Sequence, residues 1–526
     1  MHRARVSTVI VPAILALGLS ASPAPAQDHT VADPVIQAIT EEGLERSRLE
    51  SMARALLDSI GPRLAGTPEY DAAADWVAGR YREWGIEVRM DSVGTWRGWE
   101  QGFTHVDLIA PRRRTLEAVP MAYSPGTGGV VEGRVVTIPA SLAEDEVESW
   151  LADLEGAFVL AMPPEPMCRA RQELEANARE ETVAKIDSLR QAERTAWGDR
   201  LEALGSRNPW TALARVADAG VAGIVMGWWS EGWGANKIFD APTREVPSFS
   251  LSCEDYGLLY RLAEDGSAPR IRVEMTAELK GEVPHDNVIA EIRGSDLPDE
   301  YVVLSAHLDS WHAASGATDN GTGTLMVLEA MRLLKAAGLT PRRTIIAGHW
   351  AAEEVGHIGS RAFTEDHPEV LEGLQATFNQ DNGTWRIEKI EGQGFLYAGE
   401  RIARWIAQVP RDIASGIELE FPGTQYSRGS DHINFTCAGA PGFRLQSPYD
   451  EYRQYTWHTE RDTYDKIVFD DLRDNAILAA ILAYAAAEDP VRTPRDRALL
   501  PIDERTGEPG AWPECRPAMR RPPELE

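Results

Sequence analysis

Two adjoining pieces of sequence decide the fold: Tyr301-Val302-Val303-Leu304-Ser305-Ala306-His307-Leu308-Asp309, and Asp319-Asn320-Gly321-Thr322-Gly323. A short apolar run that ends at a histidine and an acid reads as a buried strand. Side chains alternate along a strand, so residues 307 and 309 point to the same face. The second piece places an acid on a glycine-rich turn that opens a helix over residues 324–334, and its glycines let backbone approach closely. A further strand, residues 344–350, runs directly into Ala351-Ala352-Glu353-Glu354. Residues 361–375 read as mostly helical, and a short β segment at 376–379 ends at Gln380-Asp381-Asn382-Gly383. Strands alternating with helices predict an α/β fold, a mainly parallel central sheet flanked by helices. In such sheets chemistry collects in the loops at the carboxyl ends of strands. Each strand named here ends just before a cluster that holds His, Asp or Glu.

Working outward, residues 33–60 carry apolar residues at helical spacing and are broken by Arg63-Leu64-Ala65-Gly66-Thr67-Pro68. A helix over 70–84 and a strand over 86–93 follow. Between 126 and 284 the texture changes to short β segments with helical stretches between, predicting a β-rich domain inserted into the α/β unit of 27–125 and 285–490. Within the insert, residues 169–204 are strongly charged and free of proline, as expected of one long solvated helix. Residues 491–526, with Pro501, Pro509, Pro513, Pro517, Pro522 and Pro523, read as an extended tail. At 526 residues the chain is too long for a single core.

The first 26 residues have a processing layout. Arg3 and Arg5 precede an apolar run over 6–19, and Ala24-Pro25-Ala26 offers a small-residue cleavage site. A secretory signal peptide fits this pattern, placing the mature protein in the periplasm or outside the cell, with no membrane attachment after cleavage. A net charge of −29 repels nucleic acid and anionic lipid. Four cysteines, Cys168, Cys253, Cys437 and Cys515, are too few for a disulfide scaffold and are not spaced as a zinc site. In an oxidising compartment they suit one or two structural bridges, with the pairing unreadable from sequence.

Imidazole with carboxylate and no thiolate suits an open catalytic zinc site. His307, Asp319, Glu354, Asp381 and His458 exceed what one catalytic zinc needs, but fit two metals sharing a carboxylate. Asp309 can receive the second N–H of His307. Glu353 and Glu354 cannot both face the same way, so one is free to act as a base. Taken alone, His-x-Asp or Glu-Glu is a weak signal, because surface pairs of this kind are common. Five candidate ligands and a spare acid, in order and mostly at strand ends, are specific. His105, His285, His349 and His367 read as structural, while His312, His357 and His432 lie near enough to the motifs to line a pocket.

The runs His307-Leu308-Asp309-Ser310-Trp311, Gly316-Ala317-Thr318-Asp319-Asn320-Gly321 and Trp350-Ala351-Ala352-Glu353-Glu354 resemble the zinc aminopeptidase family, in particular its carboxypeptidase Q group. Gly338–Thr344, Arg428-Gly429-Ser430-Asp431-His432, Trp457-His458-Thr459 and Gly61–Pro68 are similar to that group as well. The insert bears a weaker likeness to a protease-associated domain. The resemblance implies a co-catalytic exopeptidase, an aminopeptidase or dipeptidase, with two zinc ions per chain and short peptides as substrates. It implies that His307 and Asp381 hold one ion and Glu354 and His458 the other, with Asp319 bridging. Glu353 would then be the general base, Asp309 would orient His307, and Tyr426, Asp431 and His432 would border the substrate. Other divalent metals suit the same ligands, and a homodimer stays open. Two other readings compete. One is an amidohydrolase or acyltransferase acting on N-blocked substrates. The other is a non-catalytic receptor-like protein, although here every ligand position and the base are filled.

Overall fold

A computed structural model describes residues 33–523, with 140–141, 144, 425–428, 450, 501, 503–506, 509 and 511 left out. The expected signal segment and Tyr426 lie outside the described residues.

The strand Leu297–His307 forms the axis of the sheet. Arg343–Trp350 pairs with it in parallel on one side and Leu374–Gln380 in parallel on the other. Gly442–Gln446 extends the sheet in parallel beyond Leu374–Gln380. Arg343–Trp350 and Leu374–Gln380 are buried along their whole length, as strands covered on both faces must be. Alternate side chains feed two cores. Val302, Leu304, Ile345 and Ala347 join the large core, which includes the helices Thr322–Ala336 and Phe469–Glu488. Val303 and Ile346 pack instead with Phe363, Val370 and Phe435.

Register places the chemistry. Trp350 lies opposite His307, and Asn379 lies opposite Ser305, so the carboxyl ends of three strands share one edge. The connection from Leu297–His307 runs to Arg343–Trp350, while the chain after Leu374–Gln380 builds the opposite side of the sheet. Strand order therefore reverses between residues 297–307 and 374–380. That is where a parallel sheet opens a crevice.

Two long antiparallel strands, Glu87–Ala110 and Arg270–Ile292, tie the insert to this unit, pairing from Glu87 with Glu291 to Ala110 with Arg270. The insert is itself α/β. Val131–Thr137, Phe158–Leu160, Gly223–Met226 and Ser248–Leu251 pair in parallel succession. Val159 and Ile224 meet Leu213 and Val216 of the helix Pro209–Asp218 on one side. Phe158 and Val225 meet Tyr256 and Leu259 of Cys253–Glu264 on the other.

The charged stretch 169–204 is two helices, Arg171–Asn177 and Glu180–Ala203, rather than one. Ala178 is extended between them. The longer helix is not solvated all round either: Ile186, Arg190, Trp197 and Leu201 are buried. Arg190 is tolerated inside because its guanidinium donates to Glu165 at 2.9 Å and to the Arg169 carbonyl at 3.0 Å.

All four cysteines are paired, as Cys168–Cys253 and Cys437–Cys515. The first bridge closes a loop of 85 residues through the insert. Replacing both Cys168 and Cys253 by Ser is expected to cost about 4 kcal/mol. Thermal melts without reductant measure this, and in reductant, which also opens Cys437–Cys515, wild type and double variant should melt alike.

Candidate metal centre

His307 closes the central strand, Asp381 follows directly on Leu374–Gln380, and Glu353 and Glu354 lie just beyond Arg343–Trp350. The switch-point crevice thus brings His307 and Asp381 together, with His307 Nε2 3.1 Å from Asp381 Oδ1. Asp319 arrives from the turn before Thr322–Ala336. Tight packing shapes that turn. Gly316 has φ +57°, and a Cβ there would lie 2.2 Å from Ser310 Cβ. A Cβ on Gly323 would lie 2.4 Å from Asn320 Oδ1. The Asp462 carboxylate accepts from the Thr318 N–H at 2.9 Å and the Asp319 N–H at 3.0 Å, which aims Asp319 inward.

Two donor groups result: His307, Asp319 and Asp381, and Asp319, Glu354 and His458, with the ligand atoms of each within 4.8 Å of one another. Asp319 belongs to both. Its Oδ1 is 3.6 Å from His307 Nε2, and its Oδ2 is 3.6 Å from His458 Nε2. Glu354 Oε2 lies 3.1 Å from His458 Nε2.

Electrostatics set this cluster apart from an ordinary buried network. Burial, with Asp381 and Glu353 adding to it, raises the Asp319 carboxyl to about 6. Burial and the Asp319 charge push Glu354 well above the usual carboxylate range. Burial works against a charged His307, yet Asp381 and Glu353 hold it well above a normal imidazole. Asp319 Oδ2 and Glu354 Oε1 are buried without a hydrogen-bond partner among the described residues. Buried carboxylates this crowded, with unsatisfied oxygens, fit a cationic partner.

Glu353 belongs to neither group. Its Oε2 stands 4.0 Å from His307 Nε2, and its Oε1 is 3.0 Å from His357 Nε2. Asp309 acts in a way the sequence did not indicate. The Nδ1 of His307 is closest to the Asp309 main-chain carbonyl, at 3.0 Å, with the carboxylate at 3.5 Å. That carboxylate accepts instead from the Glu353 N–H at 3.0 Å and the Glu354 N–H at 3.2 Å. It pins the two-glutamate loop and the histidine together.

Asp431 and His432, expected beside the substrate, are both fully buried. Asp431 accepts from the Ser360 hydroxyl, and Ser360 in turn accepts from Asn434 at 2.8 Å. Asp431 lies close enough to Glu353 and His357 for their charges to act on its carboxyl. His312 is structural, with Nε2 2.8 Å from the Pro120 carbonyl.

Sequence reasoning passed over two supports. Arg63 is fully buried and donates to the carbonyls of Leu308 at 2.8 Å, Ser315 at 2.6 Å and Gly316 at 3.0 Å, tying the His307 loop to the Asp319 turn. A lone arginine between Pro62 and Leu64 signals this only through its segment. The second support comes from the insert. Ile238 N–H donates to the His458 carbonyl at 2.8 Å, and the Phe239 ring meets the His458 imidazole at 5.0 Å. Nothing in the local sequence links residue 239 to residue 458.

Residues 287–483 match the model of peptidase family M28. The chain is a zinc metallopeptidase. The M28 match spans every residue of both donor groups. Over 449 residues the chain is 27% identical to mouse carboxypeptidase Q, covering 84% of this chain and 86% of that one. The human carboxypeptidase Q is 25% identical, with 86% and 88% covered. The M28 fold also aligns with a peptidase M28 precursor from Shewanella amazonensis, at TM-score 0.63 and 23% identity over 88% of this chain and 97% of that one. A zinc aminopeptidase from Bacillus subtilis aligns at TM-score 0.56 and 19% identity, over 85% and 96%.

Proposed function

We propose that this chain is an exported exopeptidase that holds two zinc ions and hydrolyses the peptide bond next to a free terminus of short peptides. The observation that carries this reading is Asp319, which turns one oxygen toward each histidine of two donor groups. His307 and Asp381 would hold one ion, Glu354 and His458 the other, with Asp319 shared. A set of imidazoles and carboxylates without thiolate suits catalytic zinc. The two disulfides and the absence, among the described residues, of any helix long and apolar enough to cross a membrane support export. When bound, the ions would supply charge stabilisation for the carbonyl oxygen and a more acidic water.

The chain's own residues supply the proton chemistry. Glu353 takes the proton of the attacking water and returns it to the leaving amine. His357, 3.0 Å away, holds the Glu353 carboxylate in place. Asp309 fixes the loop carrying Glu353 relative to His307. His357→Leu is expected to lower kcat about tenfold with little change in KM, since a hydrogen bond to a charged group is worth about 1.5–3 kcal/mol. His357→Gln should recover part of the loss, and steady-state kinetics on one dipeptide checks both.

The test of the whole reading is a panel of dipeptides and aminoacyl anilides, with and without an N-terminal block, after chelation and after zinc is returned. Zinc-dependent cleavage of unblocked substrates is expected, and the anilide-to-dipeptide ratio separates aminopeptidase from dipeptidase. Cleavage of blocked substrates alone would overturn the exopeptidase assignment.

A further inference from the structure

The C-terminal segment is expected to be a plain extended tail, and its described residues form no helix or strand, yet it is fastened at close intervals. Cys515 is bonded to Cys437. The Ala518 N–H donates to Glu365 at 2.6 Å, and the Arg520 guanidinium makes two bonds to Asp366, at 2.7 and 2.9 Å. The Thr95 N–H donates to the Arg520 carbonyl at 3.0 Å, and Arg97 reaches the Pro523 carbonyl. Gly94 has φ +137°, and a Cβ there would lie 2.3 Å from the Arg520 carbonyl oxygen, so only glycine lets the strap lie this close.

This docking has a result at the site. Met519 packs against the large core and, with Pro523, forms one side of a cleft of about 570 Å³. Trp96, Trp210, Trp228 and Trp311 stand in the remaining wall with the charged Arg97 and Asp240, and Glu354 of the metal centre stands in the same cleft. Three separate parts of the chain therefore build it: the peptidase unit, the insert and the strap. The volume suits a side chain or small ligand, and the lining is mostly apolar and aromatic. Methionine is an adaptable apolar surface for such a group.

We propose that the strap 515–523 is a specificity wall of the substrate cleft, with Met519 the surface against which a bulky apolar side chain beside the scissile bond packs. The inference rests on the exopeptidase reading above. It identifies Met519 as a specificity residue and Arg520 as the residue that positions it.

The experiment uses the full-length, zinc-loaded protein with phenylalanine and alanine anilides. Met519→Ala is expected to lower the phenylalanine-to-alanine ratio of kcat/KM about tenfold, the loss falling in KM rather than kcat. Met519→Leu should restore most of the ratio. Arg520→Ala, which severs the Asp366 anchor and leaves Met519 present, should shift the ratio in the same direction. An unchanged ratio in both alanine variants overturns the proposal. So does an equal loss on both substrates, which would mark the strap as structural only. If only dipeptides are cut, the same ratio is read on phenylalanine and alanine dipeptides; should the wild type cleave neither anilides nor dipeptides, the exopeptidase reading fails by itself. The strap is then decided by titrating phenylalanine amide against tryptophan fluorescence. Weaker binding by Met519→Ala supports the wall, and equal binding overturns it.

Discussion

Glu353→Gln is expected to lower kcat by about 10³ while the protein still binds its full complement of zinc. Glu353 stands outside both donor groups, so the substitution removes no candidate ligand. It keeps the volume of the side chain and its contact with His357, but an amide cannot take a proton from water. General-base catalysis contributes about 10²–10⁴-fold, which sets the size of the loss. Metal content after gel filtration, read alongside kcat, separates this outcome from its alternative. If zinc falls with activity, Glu353 is a ligand. If activity persists, the base lies elsewhere.

Asp319→Ala is expected to act at the other end of the same chemistry, losing metal first and activity with it. Asp319 is the one residue in both donor groups. Its removal leaves His307 with Asp381 and Glu354 with His458, two donors each. A catalytic zinc needs three protein ligands. Bound zinc should fall below one ion per chain, and turnover by more than 10³. Stability reports the loss independently of activity. Wild-type protein saturated with zinc at 100 times Kd gains about 2.7 kcal/mol per ion over the apo form, so chelation should lower its Tm while leaving the Tm of Asp319→Ala nearly unchanged. A variant that keeps two ions and a chelator-sensitive melt would show that Asp319 does not bridge.

The parallel sheet was legible because its strands carry short apolar runs and end near polar clusters. Residues 302–306 and 344–350 could be recognised from a handful of neighbours each. The ligand types were legible for the same reason, since His307, Asp319, Glu353-Glu354 and Asp381 are each adjacent to a strand or helix end. Residues 169–204 were misread as one helix because charge alone does not reveal a break at Ala178, nor that Arg190 finds Glu165 inside the insert. The docking of the tail was not legible because proline content reports what a segment cannot form, not where its carbonyls and cysteines dock.

By itself, the sequence determined the α/β layering, the edge of the sheet where chemistry collects and the donor types, all of them products of local periodicity and residue chemistry. The resemblance implied how those groups divide, and only the tertiary structure decided which neighbours hold each of them. It put Glu354 with His458 and left Glu353 to His357. It turned the Asp309 carboxylate to the glutamate loop, drew Arg63 beneath the His307 and Asp319 loops, and set Phe239 on His458 and Met519 in the cleft. All of these contacts except Glu353 with His357 join residues tens to hundreds of positions apart. Their partners are chosen by packing and by the need to satisfy buried polar groups, which depend on the whole fold rather than on any stretch of the chain.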